Sequence, residues 1–268
     1  MNKKVILITG AGSGFGKAAA IRLAKRGHKV YATTQYYDEA ITLTQIARKL
    51  KLDIVSFKLD ILLKKDREYI KDLKVDVLIN NAGINDSGSL LEINVDKIKK
   101  VYETNIFAML ELTQIVLKNM IKNKSGRIVF ISSLYGVISQ PFVSPYTSSK
   151  FAIEALAISL RKELDELKNI DKTINIDTTI IEPGSYYTGF NQEMILKQFR
   201  WMKEDSYFNG KIKYLKEKQI NKLNSIEVKK LNSIISKYVK AVESKKCKKR
   251  YSAPKIQYII AKIIQIFE

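Results

Sequence analysis

A doubly wound α/β fold, a parallel sheet between two helical layers, is what this sequence predicts, and three observations carry the prediction. Short runs rich in Val and Ile alternate with longer segments of helical period over roughly the first 190 residues. The runs are apolar almost throughout, as strands covered on both faces must be. The first of them ends in a glycine-rich turn that opens directly into a helix.

Taken in order, the strand candidates are KKVILIT, HKVYATT, LDIVSFKL, VDVLIN, GRIVFIS and NIDTTIIE. Each is followed by a helix candidate: GKAAAIRLAKRG closes on Gly27 as a C-cap, DEAITLTQIARKL follows the second strand, and VDKIKKVYETNIFAMLELTQIVLKNMIK forms one long helix after the fourth. This alternation specifies right-handed crossovers in a three-layer α/β/α domain, with ligands bound beyond the carboxyl ends of the strands. After Gly189 the pattern changes. Residues 190–250 are Lys-rich, free of Pro and helical in composition, and read as a helical lid over the strand ends. Residues 251–268 form a C-terminal segment of the same single domain, 1–268.

Composition narrows the chemistry. With 46% hydrophobic residues and 4 Pro, the 268-residue chain has material for a sizeable core. A single cysteine, Cys247, excludes an internal disulfide and leaves too little sulfur for a zinc or iron-sulfur site, and the single histidine, His28, removes most serine-triad and metal-ligand chemistry; no metal is expected. No apolar run reaches the 18 residues of a membrane span, and the apolar stretch after Met1 is too short for a signal peptide; a reduced, cytoplasmic setting is expected. The 47 Lys and Arg against 27 Asp and Glu give a net charge of +20, of which +12 lies in the last 80 residues. Since 39 of the cations are Lys and only 8 are Arg, the excess does not resemble a nucleic-acid surface, where bidentate Arg contacts dominate. A basic C-terminal face remains.

The turn Thr9-Gly10-Ala11-Gly12-Ser13-Gly14-Phe15-Gly16 carries the strongest local signal. Gly10, Gly14 and Gly16 permit a tight turn, close approach of a diphosphate and close packing of helix on strand, while the helix N-terminus faces the phosphates. Strand, turn and helix together make the context of a Rossmann-type dinucleotide site. Further on, Tyr146-Thr147-Ser148-Ser149-Lys150 puts a phenol and an ammonium one helical turn apart. A nearby cation favours phenolate, so the pair can act as an acid/base without histidine. Ser133 stands 13 residues before Tyr146 at the end of a strand, and Asn105 a further 28 before that.

TGxxxGxG, Asn80-Asn81-Ala82-Gly83, Asn105, Ser133, the Tyr146/Lys150 pair and Pro183-Gly184-Ser185-Tyr186-Tyr187-Thr188 match, in order and spacing, the pattern of the short-chain dehydrogenase/reductase family, over about residues 3 to 190. VYATT, IIEPGSYYTGF and KKRY are similar to its hydroxysteroid and retinol dehydrogenase-like branch. The resemblance implies an NAD(P)-dependent oxidoreductase interconverting a carbonyl and an alcohol. Tyr146 would pass the proton, Ser133 would hydrogen-bond the reacting oxygen, Lys150 would lower the Tyr146 pKa and hold the nicotinamide ribose, and Asn105 would hold a water connecting Lys150 to solvent. Gly10, Ser13, Gly14, Phe15, Gly16, Thr34, Gln35, Asp60, Ile61, Asn81, Ala82, Gly83, Pro183, Gly184 and Thr188, with Tyr146 and Lys150, would line the cofactor. Thr188 would bond the carboxamide and Asp60 the adenine amino group.

Thr34 and Gln35 occupy the positions that select NAD through an acid or NADP through an arginine, and they are neither. The missing acid and the basic field favour NADP, with NAD the alternative. The substrate side would be formed by Leu134, Tyr135, Phe142, Tyr186 and Tyr187, with Phe190, Trp201 and Phe208 from the lid, an aromatic and apolar lining suited to a lipophilic alcohol, aldehyde or ketone. The family pairs its long helices, and Ala152, Ala155 and Ala157 give a smooth face for a homo-oligomer. Two rival readings stand beside the enzyme. One is an NADP-binding sensor without catalysis; the other is a membrane-surface protein docking through IQYIIAKIIQIF, which is expected rather to pack on its own domain or a second subunit.

Overall fold

The computed structural model describes residues 2–200, 202 and 205–267. All six expected strands form: β1 (Val5–Ile8), β2 (Lys29–Thr34), β3 (Ile54–Lys58), β4 (Val77–Asn80), β5 (Ser125–Ile131) and β6 (Asn175–Pro183). A seventh, β7 (Arg250–Ala253), completes a wholly parallel sheet of order β3-β2-β1-β4-β5-β6-β7. Chain order reverses direction between β1 and β4, so a crevice opens at their carboxyl ends.

Side-chain alternation explains why the strands read as continuous apolar runs. Ile6, Ile8, Val77, Ile79, Val129 and Ile131 face one layer, while Leu7, Leu78, Ile128 and Phe130 face the other. The first layer contains α1 (Gly14–Ala24), α2 (Tyr37–Lys49) and α9 (Asn232–Glu243); the second contains α5 (Met109–Lys122) and α6 (Ser144–Ile170). Each buried Val, Ile or Leu side chain contributes ~1.5–3 kcal/mol. A short helix, α3 (Lys64–Glu68), leads into β4, and α4 (Val95–Tyr102) precedes the second layer.

Four expectations change. The long helix over 95–122 is interrupted: α4 and α5 are joined by a π-helical turn, Glu103–Ala108, that contains Asn105. The segment 190–250 divides into α7 (Phe190–Arg200), α8 (Ile212–Ile226) and α9, and α9 is not lid at all. It buries Ile234, Ile235, Tyr238, Ala241 and Val242 in the first layer beside α1. Its last residue, Glu243, pairs with Arg26 and the buried His28, which is how the one histidine is spent. The C-terminal segment begins with an unexpected strand, β7, held by Arg250, which pairs with Glu154 at 2.8 Å and with Glu182. Ala157 lies inside the second layer and so offers no surface for a partner, whereas Ala155 is exposed. The final helix, α10 (Lys255–Phe267), buries only Ala261.

Candidate active site

A cleft of about 980 Å³ runs along the carboxyl ends of the strands, from the glycine turn to α10. At its first end Gly10 has φ +63°, and a Cβ there would fall 2.8 Å from the Cα of Ala82, so the turn and the Asn81-Ala82-Gly83 segment touch backbone to backbone. Asn81 locks the contact: its Nδ2 donates to the carbonyls of Thr9 (2.9 Å) and Gly10 (3.0 Å). Tyr238, from the buried α9, donates to Asn81 Oδ1 at 3.0 Å. The helix then starts at Gly14, with no acid in its first turn and no side-chain cap from Ser13, which leaves its first N–H groups for an anion. A dinucleotide fits this cradle.

Most of the expected cofactor residues line the cleft: Gly10, Ser13, Gly14, Phe15, Gln35, Asp60, Ile61, Asn81, Ala82, Gly83, Pro183, Gly184 and Thr188. Two do not. Gly16 is buried beneath the turn, where a side chain would strike the Gly10 carbonyl, and Thr34 is fully buried with its hydroxyl donated to the Tyr36 carbonyl at 2.7 Å. The acid absent from the strand end is replaced in space by Glu39, in the first turn of α2, whose carboxylate lies against Gly12. Only the fold reveals this, because helix geometry brings a residue five positions beyond Thr34 back to the turn.

At the centre of the cleft, Ser133, Tyr146 and Lys150 come together. Ser133, two residues past β5, caps the 3-10 turn Leu134–Gly136, its Oγ accepting from Tyr135 N at 3.1 Å, so its own proton is left to donate elsewhere. Tyr146 is packed by Tyr135 (6.4 Å between centroids) and Phe190 (5.5 Å). Burial pushes its phenol well above the ordinary value, and the neighbouring Ser133 hydroxyl opposes that rise. Lys150, whose ammonium is 5.4 Å from the Tyr146 ring centroid and donates to the Ile131 carbonyl at 2.8 Å, is itself lowered by burial to about 8, with Glu154 opposing. In the protein alone, burial favours the neutral form of both the Tyr146 phenol and the Lys150 amine.

Asn105 is buried beside this group, and its carboxamide is fully engaged. Oδ1 accepts from Ile84 N (2.8 Å), and Nδ2 donates to Ile84 O (3.0 Å) and Ser149 Oγ (3.0 Å). Ser149 in turn donates to the Tyr146 carbonyl at 2.7 Å, which ties the π-helical turn to the first turn of α6. Its side chain thus holds loop and helix together and makes no direct bond to Lys150.

The substrate side divides. Leu134, Tyr135 and Tyr186 line the cleft, as does Phe190. Tyr186 is 1% exposed, with its ring edge-on to Phe15 at 5.5 Å and its hydroxyl 2.7 Å from Ser233 Oγ, so it supports the glycine turn from below. Tyr187 is exposed and outside the cleft lining, and Phe142 packs on Phe208 at 5.0 Å among the residues of α7 and α8. Trp201 lies outside the described residues. Beside Leu134, Tyr135 and Tyr186, α10 supplies Gln257, Ile260, Ala261 and Ile264 to the cleft. Gln257 also fastens the turn after β6, accepting from Ser185 N at 2.8 Å. Alternating Ile pairs in KIQYIIAKII were the available signal. No cluster of three metal-ligating side chains and no helix long and apolar enough to cross a membrane occurs among the described residues.

Comparison with known proteins agrees with this geometry. The family model for short chain dehydrogenase matches residues 4–198. An uncharacterized oxidoreductase, YusZ, of Bacillus subtilis is 35% identical over 196 residues, covering 70% of this chain and 67% of that protein. A 3-ketodihydrosphingosine reductase of Bacteroides thetaiotaomicron is 32% identical over 207 residues, 76% of this chain and 72% of the other. In structure, a short chain dehydrogenase/reductase of Burkholderia phymatum in complex with NAD superposes with a TM-score of 0.80 at 19% identity, over 97% of this chain and 92% of that one, which speaks to the fold. The chain belongs to the short-chain dehydrogenase/reductase family and is an NAD(P)-dependent oxidoreductase.

Proposed function

We propose that the chain reduces a lipophilic ketone or aldehyde to the alcohol, with Tyr146 as proton donor. The observation that carries this reading is the meeting of Ser133, Tyr146 and Lys150 at the middle of a cleft with a glycine cradle at one end and Ile and Tyr side chains at the other. The bound nicotinamide supplies the hydride. Every other part of the reaction falls to the chain. Ser133 and Tyr146 offer two hydroxyl donors to one carbonyl oxygen, and donors aimed at developing charge in a water-poor site are worth several kcal/mol of barrier. A protonated Tyr146 phenol is the form that donates to the carbonyl oxygen during reduction, and burial favours that form.

The ammonium of Lys150, charged below about pH 8, faces the same space and would hold the nicotinamide ribose hydroxyls. Thr188, opposite Gly14, would bind the carboxamide. At the adenosine end, the absence of an acid at Thr34 and Gln35 admits NADP, while Glu39 opposes a 2′-phosphate; we expect both cofactors to be used. The apolar end supports a lipophilic substrate, with α7 and α8 as its cover. The 3-ketodihydrosphingosine reductase similarity agrees with a long-chain carbonyl.

The test is a set of medium- and long-chain aldehydes and ketones assayed with NADPH and NADH by absorbance. Turnover that rises with chain length supports the reading, and turnover confined to small polar carbonyls refutes it. A sensor role would be indicated by tight cofactor binding with no turnover on any member of the set.

A further inference from the structure

Among the described residues, none covers the outer side of α10. Ile256, Ile259, Ile260, Ile263 and Ile266 are 51–79% exposed, and Phe267 is 84% exposed. Most fall at the i, i+3, i+4, i+7, i+11 spacing of a single helical stripe. The opposite side is anchored: Ala261 packs against Leu134, Val137 and Ile138, and Gln257 Nε2 donates to the Ile226 carbonyl at 2.7 Å. The helix is therefore held in place while its apolar stripe faces solvent. An uninterrupted apolar surface of this kind on one element marks an interaction site.

Charge decides what covers it. The 13-residue helix contains Lys255 and Lys262 and no acidic residue. Lys237, on α9, stands within electrostatic reach of Lys240, Lys248 and Lys255, so a cluster of lysines borders the start of the stripe. A second copy of a chain with net charge +20 would bring the same cations against this cluster. An anionic bilayer accepts both the apolar stripe and the lysines around it. Thirteen residues are too few to span a bilayer but enough to lie in its interface.

We propose that α10 docks the protein on anionic lipid, with the isoleucine stripe in the acyl boundary and the lysine cluster on the headgroups. Because Ile260 and Ile264 also line the cleft, docking brings the mouth of the cleft to the membrane surface. A lipophilic substrate then enters from the bilayer without crossing water. This last consequence rests on the proposed reduction of lipophilic carbonyls; the docking itself does not.

Co-sedimentation of the full chain with vesicles, of phosphatidylcholine alone or of an equal mixture with phosphatidylglycerol, tests it. Binding to the mixed vesicles and little to the neutral ones is expected, weakening as salt rises. Ile259→Asn/Ile263→Asn, at exposed positions outside the cleft lining, should lower partitioning by at least about tenfold. Lys240→Gln/Lys248→Gln should lower it by about fivefold per lysine. Thermal melting, cofactor fluorescence titration and size by light scattering are measured for each variant. Absence of wild-type binding to mixed vesicles at low salt overturns the proposal, as does undiminished binding of both variants. So does an isoleucine variant that turns an oligomer into a monomer with vesicle binding unchanged, which assigns the stripe to a second copy. Vesicle binding without turnover of any lipophilic carbonyl would refute the function proposed above and leave the docking standing.

Discussion

Around the carboxyl ends of β1, β4 and β5 the side chains of Asn81, Asn105, Ser133 and Lys150 are held by named partners, whereas beyond Gly189 the chain alternates between core and open surface. Asn105, Ser133, Tyr146 and Lys150 are all at most 9% exposed, and Asn105, Ser149 and the Tyr146 carbonyl form one hydrogen-bonded chain. By contrast α8 buries no residue and α10 one, yet α9 and β7, which lie between them, are built into the sheet and its first layer. The family match also stops at residue 198. Chemistry common to the family needs atoms held within fractions of an ångström, and that demands buried, fully bonded side chains. Substrate and surface contacts demand only the right polarity, and loosely packed helices supply it.

The largest effect expected tests the rigid half. Tyr146→Phe removes one hydroxyl from a packed aromatic cluster, so turnover should fall by about a thousandfold while cofactor affinity and the melting temperature hardly change. Retention of full turnover with the best carbonyl would sink the assignment.

Arg250→Met asks whether β7 belongs to the rigid half. Glu182 is fully buried and Glu154 nearly so, and Arg250 neutralises both across β6 and α6. Its loss leaves two buried carboxylates, and urea unfolding should show a cost of about 3–5 kcal/mol at pH 7. Burial already raises the Glu154 pKa, with Arg250 among the groups that oppose the rise. A carboxyl raised in the folded state stabilises at low pH and loses that stability as pH rises. The deficit should therefore shrink on acidification toward pH 5. A loss below about 1 kcal/mol would mean that β7 is an appendage.

Lys150→Met should separate function from stability. Folding lowers the lysine from 10.5 to about 8, so below pH 8 the fold bears the cost of a buried ammonium, and stability rises with pH between 8 and 10.5 as the unfolded chain holds the extra proton. Methionine removes that cost but strands the Ile131 carbonyl. A net gain of about 2 kcal/mol at pH 7 is expected, vanishing by pH 10, together with loss of turnover. Equal stability of the two proteins at pH 7 would show the ammonium to be better solvated than its burial implies.

How much of this could be read from the chain follows the same division. The six core strands were legible because both faces of each are apolar, and Ser133, Tyr146 and Lys150 because fixed spacing on regular elements brings them together. β7 was not, since RYSA is short, polar at alternate positions and needs the Glu154 and Glu182 carboxylates to hold it. The lysine-rich composition of 190–250 hid the apolar stripe of α9, whose period places Ile234, Ile235, Tyr238, Ala241 and Val242 inward. Tyr186 and Tyr187 are neighbours in sequence with opposite fates, one buried and one exposed, because the chain makes a single bridge at Tyr186 to Val228 there. No local signal distinguishes them.

Glu39 belongs to the same class of hidden residue, and it gives the smallest and sharpest of these effects. Its carboxylate lies at Gly12, within the cleft at the adenosine end, although it is five residues past the position where a selecting acid is sought. A carboxylate there repels a 2′-phosphate but not a ribose hydroxyl. Glu39→Gln keeps the size and removes the charge, so NADPH should gain about fivefold in affinity relative to NADH, on the order of 1 kcal/mol for one partly screened charge pair. Fluorescence titration with each cofactor measures the ratio directly, and adding salt should narrow the difference between wild type and variant. An unchanged ratio would place the choice with Gln35 and the surrounding lysines, and would leave the adenosine end, like the far side of α10, governed by the diffuse field of the chain rather than by one positioned group.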